Sequence, residues 1–126
     1  MILLDAGALI ALERNDRPMW AALKLSAFAT EDIVVPTTVL AQVWRNRPSQ
    51  ALLSRALAYC TFAGLDDVAR AVGELCGRAK TTDICDAHVA WVATERECVL
   101  YTSDVADMKR LIEACRRRRR PTIVRC

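Results

Sequence analysis

Short apolar runs alternate along the chain with longer stretches in which apolar residues recur every three or four positions. Ile2-Leu3-Leu4 is the first run, and Asp5-Ala6-Gly7 turns it into a short helix over Ala8 to Arg14. Beyond Asn15-Asp16-Arg17-Pro18, the residues Trp20, Leu23, Ala27 and Phe28 predict one apolar helical face, with Pro18 in its first turn. Ile33-Val34-Val35 predicts a second strand, closed by Pro36 and by the capping-type residues Thr37 and Thr38. A helix through Val39, Leu40, Gln42, Val43 and Trp44 follows, then a loop over Arg45 to Ser49. Leu52, Leu53, Ala56 and Leu57 form the stripe of another helix.

Tyr59 to Ala63 predicts a third strand, with a turn at Gly64 and Asp66 placed to cap the helix marked by Val68, Val72, Leu75, Cys76 and Ala79. Lys80 to Cys85 reads as a loop. Asp86 to Arg96 reads as a helix apolar on most sides, hence buried or at an interface. Cys98 to Tyr101 is the fourth strand. Asp104 opens a helix carrying Val105, Met108, Leu111 and Ile112 on one face, which ends at an arginine block and Pro121. Thr122 to Val124 is a short fifth strand. Strands alternate with helices and no tight hairpin signal occurs. The pattern therefore predicts an α/β fold, a parallel sheet sandwiched by helices. No repeat and no long linker divides residues 1–126, so one domain is expected.

Composition narrows the classes. With 53% hydrophobic and 26% charged residues over 126 positions, the chain suits one globular domain with its own core. Asp5 interrupts the apolar start before a signal peptide can form. No apolar run approaches the roughly 20 residues of a membrane span. A cytoplasmic protein is expected. Six cysteines (Cys60, Cys76, Cys85, Cys98, Cys115 and Cys126) contain no C-x-x-C pair, and in that compartment they read as small buried hydrophobes. Cys85 and His88 have no second ligand pair, which argues against zinc.

The net charge of +3 is uneven. Five consecutive arginines, Arg116 to Arg120, account for it: without them 13 basic residues face 15 acidic ones, or −2. Such a block is either a phosphate-contacting patch or a solvated helix end.

Parallel sheets bind ligands beyond the carboxyl ends of their strands. Asp5 ends the first strand, Asp104 follows the fourth, and Asp86 opens the helix that returns to the fourth, so all three are expected at one edge. Asp83 and Asp107 are close enough in sequence to join them. Asp5, Asp86 and Asp104 each also stand where an N-cap is expected. Gathering carboxylates within about 4 Å costs several kcal/mol at an effective dielectric near 20. Such a cluster calls for a cation or for a raised pKa, and all-oxygen ligands suit Mg²⁺ or Mn²⁺.

The opening Met1-Ile-Leu-Leu-Asp5-Ala-Gly-Ala-Leu-Ile10-Ala-Leu resembles that of PIN domains, whose first catalytic Asp ends strand one. Asp86-Ala-His-Val-Ala90 resembles the third acidic position of the family, and Tyr101-Thr-Ser-Asp104, with Asp107 and Leu111 beyond it, resembles the fourth. The likeness covers nearly the whole chain and points to the VapC class of toxin ribonucleases. It implies a PIN-like three-layer sandwich of about five strands in order 3-2-1-4-5. One position departs: the second acidic residue, normally Glu, is Gln42 in Pro36-Thr-Thr-Val-Leu40-Ala-Gln42-Val-Trp-Arg45. Gln keeps an oxygen for metal or water but loses a charge, so weaker metal binding is expected.

The resemblance implies a Mg²⁺- or Mn²⁺-dependent endoribonuclease toxin of a type II toxin–antitoxin pair. In it Asp5, Asp86 and Asp104 hold metal, with Gln42 at the catalytic position the Glu would occupy. Asp83, Asp107, Thr102 and Ser103 are auxiliary, the two hydroxyls standing near the nucleophilic water. Arg45, Arg47, Arg116, Arg117, Arg118, Arg119 and Arg120 are the candidates for RNA contact. It further implies a homodimer, and a VapB-like antitoxin whose C-terminal segment inserts a basic side chain into the acidic groove. His88, the one histidine, reads as a satisfied core or interface residue, and Trp44 and Trp91 as core or interface anchors. Two other readings stand beside this one. The first is a PIN domain weakened at Gln42 that only binds RNA or antitoxin. The second is a receiver-type signalling domain, which would want an Asp after strand three and a Lys after strand five, where this chain has Ala63-Gly64 and Arg125-Cys126.

Overall fold

In the computed structural model, which describes residues 1–126, β1 (Ile2–Leu4) and β2 (Ile33–Pro36) are buried at every position. A strand with no polar face needs cover on both sides, which a parallel sheet between helices supplies. After β1 come α1 (Ala6–Glu13) and α2 (Arg17–Phe28). After β2 come α3 (Thr37–Val43), a 3-10 turn and α4 (Ala51–Leu57). β3 (Thr61–Ala63) leads to α5 (Ala69–Ala79) and α6 (Ile84–Ala93), and β4 (Val99–Thr102) leads through α7 (Val105–Ala114) to β5 (Thr122–Arg125).

The five strands form one all-parallel sheet in the expected order β3-β2-β1-β4-β5. β1 is central, Leu3 facing Val34 on one side and Leu100 on the other. Helices α1, α2 and α4 pack together, as do α5, α6 and α7, and α3 touches both α1 and α6. Between them 27 buried residues form one core cluster. A receiver-type sheet places its first strand between the second and third; here β1 lies between β2 and β4, which removes that reading. No helix is long and apolar enough to cross a membrane.

Several local expectations are corrected. Thr37 and Thr38 lie inside α3, whose N-cap is Pro36 with no side-chain bond, because the strand runs directly into the helix. Asp66 starts a 3-10 turn and caps nothing. β3 begins at Thr61 rather than Tyr59, and α6 ends at Ala93 rather than Arg96. Phe28, expected on the inner face of α2, is 91% exposed; Leu23 is buried there as expected, joined by Met19 and Ser26. Of the cysteines, Cys98 and Cys115 are buried, Cys60, Cys76 and Cys85 half-buried, and Cys126 exposed; all are free thiols. His88 is fully buried but only half satisfied: Nδ1 bonds the Thr38 hydroxyl at 2.8 Å while Nε2 has no partner.

Candidate functional site

The chain leaves β1 toward β2 and leaves β4 toward β5, so the order of the sheet reverses between β1 and β4. Crevices at such a point receive ligands. Asp5 ends β1 there, its N–H bonded to the Tyr101 carbonyl at 3.3 Å. Its Oδ1 accepts from the Ala8 N–H at 2.9 Å, making it the N-cap of α1, and the residue is only 5% exposed. Burial raises the pKa of this carboxyl, while the Thr102 hydroxyl and the backbone of Ala8, Gly7 and Ser103 oppose the rise. Gly7 explains how the two turns meet. A Cβ there would stand 2.7 Å from the Ser103 Cβ and 3.1 Å from its nitrogen, so only glycine lets α1 approach the end of β4.

The second carboxylate pair comes from α6. Asp83, not Asp86, is the N-cap: its Oδ1 accepts from the Asp86 N–H at 3.0 Å, and Asp86 stands in the first turn. The sequence assigned that cap to Asp86. Asp86 accepts no backbone N–H as a cap, and its carboxyl is pushed up to about 6. Burial is the largest cause, followed by the charge of Asp83, then Asp5, a hydrogen bond with Asp83, and Asp107.

Asp104 caps α7, accepting from the Asp107 N–H at 3.2 Å, and Thr102 Oγ1 in turn accepts from the Asp104 N–H at 3.1 Å. Asp104 is exposed and is not among the main charges acting on Asp86; Asp107 is. The acids brought together are therefore Asp5, Asp83, Asp86 and Asp107, with Asp104 at the rim. Arg110 adds a cation the sequence reading missed. Its Nη2 and Nε approach Asp107 Oδ1 at 2.9 and 3.2 Å, and Nη1 donates to the Ala79 carbonyl at 2.7 Å. An Asp–Arg pair three apart on a helix is legible as a signal.

Gln42 is exposed on α3 and lines a separate cleft of about 260 Å³ with Ala6, Ile10, Glu13, Arg45 and Arg47. Ala6 adjoins Asp5, so this cleft opens beside the acidic cluster. Glu13 supplies a carboxylate to it that the sequence reading did not single out. The loop bearing Arg45 and Arg47 is fixed by buried Gln50, which accepts from the Arg45 N–H and donates to the Val43 carbonyl, each at 2.8 Å. The largest cleft, about 830 Å³ between α2 and α4, contains none of these acids.

The arginine block lies elsewhere. It connects α7 to β5, and in an all-parallel sheet that connection is at the amino ends of the strands, opposite the carboxylates. Trp91 and Trp44 both pack against the core, as expected of anchors.

The donors at the carboxyl edge are all oxygens, which fits Mg²⁺ or Mn²⁺ better than zinc. No three His, Cys, Asp or Glu side chains stand close enough to hold an ion among themselves. Mg²⁺ is commonly held by one or two carboxylates with water and substrate phosphates, and Asp5 and Asp86 are the residues that would supply them here. Compared with protein-family models, with curated proteins and with solved structures, the chain matches none.

Proposed function

We propose that the chain is a PIN-type endoribonuclease, the VapC-like toxin of a toxin–antitoxin pair, acting in the cytoplasm with Mg²⁺ or Mn²⁺. One observation carries this reading: buried Asp5 and half-buried Asp86 share the switch point between β1 and β4, with Asp83 and Asp107 crowding Asp86 so that its carboxyl sits near 6. Such a concentration of negative charge is a functional-site signature and asks for a cation.

Asp5 and Asp86 offer the ligating oxygens. The Thr102 hydroxyl opposes part of the rise that burial imposes on the Asp5 pKa, and Gly7 and Ser103 keep the β1 and β4 turns in contact. The bound metal supplies a polarised phosphate and a more acidic water. The cleft lined by Gln42, Arg45 and Arg47 is the route by which an RNA strand reaches Asp5. A basic side chain from a VapB-like antitoxin relieves the same charge when metal is absent. Exposed Leu25 and Phe28 on α2 offer apolar surface to that partner or to a second copy in a homodimer.

Calorimetric titration of Mn²⁺ and Mg²⁺ into the wild type and into Asp5→Asn/Asp86→Asn, with cleavage of total tRNA in parallel, tests this. Binding and cleavage that both vanish in the variant support the nuclease. Equal weak binding and intact RNA in both sink it.

The second reading, a weakened PIN domain that binds RNA or antitoxin without efficient cleavage, is favoured by Gln42, which stands where the family carries Glu and lacks its charge. Gln42→Glu separates the two. A large gain in metal-dependent cleavage marks a crippled site, and no gain means that Gln42 is either sufficient or irrelevant.

A further inference from the structure

We infer that the loop over residues 116–120 is a preformed surface for the phosphate backbone of RNA, at the opposite end of the sheet from the acidic cluster. The identity of the polyanion rests on the ribonuclease reading; the surface itself does not. The ten residues of α7 separate the loop from Asp104, about 15 Å at 1.5 Å per residue.

The loop is tied down at several points. Arg116 follows the C-cap Cys115 in the left-handed region, at φ 56°, a conformation a non-glycine residue holds only where its surroundings enforce it. Arg117 lays its guanidinium over Trp91, 3.6 Å from the ring centroid, and reaches Thr94 Oγ1 at 3.4 Å. Arg120 pairs with Glu113 at 3.4 Å and donates to the Arg117 carbonyl. Arg78 of α5 closes the base by donating to the Ala114 carbonyl at 3.0 Å. The cations gather closely enough to act on buried Cys115: its thiol is raised by burial, while Thr94, Arg117, Arg78 and Arg120 pull the other way.

With Arg117 and Arg120 engaged, Arg116, Arg118 and Arg119 make no ion pair and no side-chain hydrogen bond. A solvated helix end does not need this anchoring. Free guanidinium groups on a fixed loop suit bidentate phosphate contacts. Stable protein interfaces are built around aromatic or apolar anchors. Residues 116–120 offer none: Trp91 is already covered by Arg117, and the nearest apolar side chains, Ile112, Pro121 and Ile123, line a separate cleft beside Arg120. That favours a nucleic acid over an acidic protein.

The test is fluorescence anisotropy of a short labelled single-stranded RNA in EDTA across a salt series, with wild type and Arg118→Glu/Arg119→Glu. Neither side chain has a partner to lose, so the variant should melt with the wild type. The expected result is Kd raised on the order of tenfold or more, and a log–log salt slope shallower by roughly 1.4, two lost contacts at about 0.7 each. An unchanged Kd and slope overturns the inference, as does polyglutamate binding the wild type more tightly than RNA of equal charge. Total tRNA with Mg²⁺ examines the nuclease reading separately: tRNA left intact while the arginine-dependent affinity persists counts against that reading and leaves this surface standing.

Discussion

Asp83 caps α6 by accepting the N–H of Asp86 at 3.0 Å, so the carboxylate that steadies the helix is also the strongest charge opposing its neighbour's ionisation. Asp86 titrates near 6, above its unfolded value of about 4. The folded state therefore binds the extra proton between those values. Stability from this group is present at low pH and lost as pH rises from about 4 through 6. Two units correspond to nearly 3 kcal/mol, and solvent screening of a half-exposed group reduces that to about 1 kcal/mol. Buried His88 has a lowered pKa and acts in the opposite sense, losing stability as pH falls below about 6.5. The comparison of wild type with Asp86→Asn isolates the carboxylate. In EDTA, thermal melts should show the variant more stable at pH 7.5 and no more stable at pH 4.5.

Arg110 offsets part of the charge on Asp107. Arg110→Gln should leave more uncompensated negative charge around Asp86 and tighten Mn²⁺ binding severalfold by calorimetry. In EDTA the same variant should melt slightly lower, by no more than the ~1 kcal/mol of an exposed pair. Weaker Mn²⁺ binding would mean that Arg110 orders the site rather than neutralising it.

Gly7→Ala forces a Cβ against Ser103. A destabilisation of about 1–3 kcal/mol is expected from such overpacking, read by urea denaturation. Ser103→Gly removes the opposing Cβ and should recover most of the loss. If the double variant is no better than Gly7→Ala alone, the backbone of the β4–α7 turn is the obstacle.

Thr38 is the one side chain that satisfies His88. Thr38→Val leaves both ring nitrogens unpaired in the core, at an expected cost of about 1–3 kcal/mol. Thr38→Val/His88→Leu removes the buried polar pair altogether and should recover stability relative to Thr38→Val.

Most of the architecture is legible in the sequence because strand and helix signals differ in length and period. Ile2-Leu3-Leu4 and Ile33-Val34-Val35 are too short and too uniformly apolar for surface helices, and the sheet buries every one of their residues. The cap of α6 is less legible. Asp83 and Asp86 are equally good caps by type, so residue identity alone does not choose between them. Phe28 misleads for a related reason: five residues beyond Leu23 it has turned well past the buried face. Gln42 follows the second acidic position of the PIN pattern in sequence, yet its side chain opens onto the cleft with Glu13, a placement that depends on how α3 packs on α1. The position of the arginine loop needs no side-chain detail. In a parallel sheet every helix-to-strand connection lies at the amino end.

Helix α6 buries Ala87, His88, Val89, Ala90, Val92 and Ala93, leaving almost no side of it to solvent. Its first turn carries Asp86, and its last carries Trp91 beneath Arg117. The acidic edge and the arginine loop are therefore the two ends of one buried rod, joined through the core rather than over the surface.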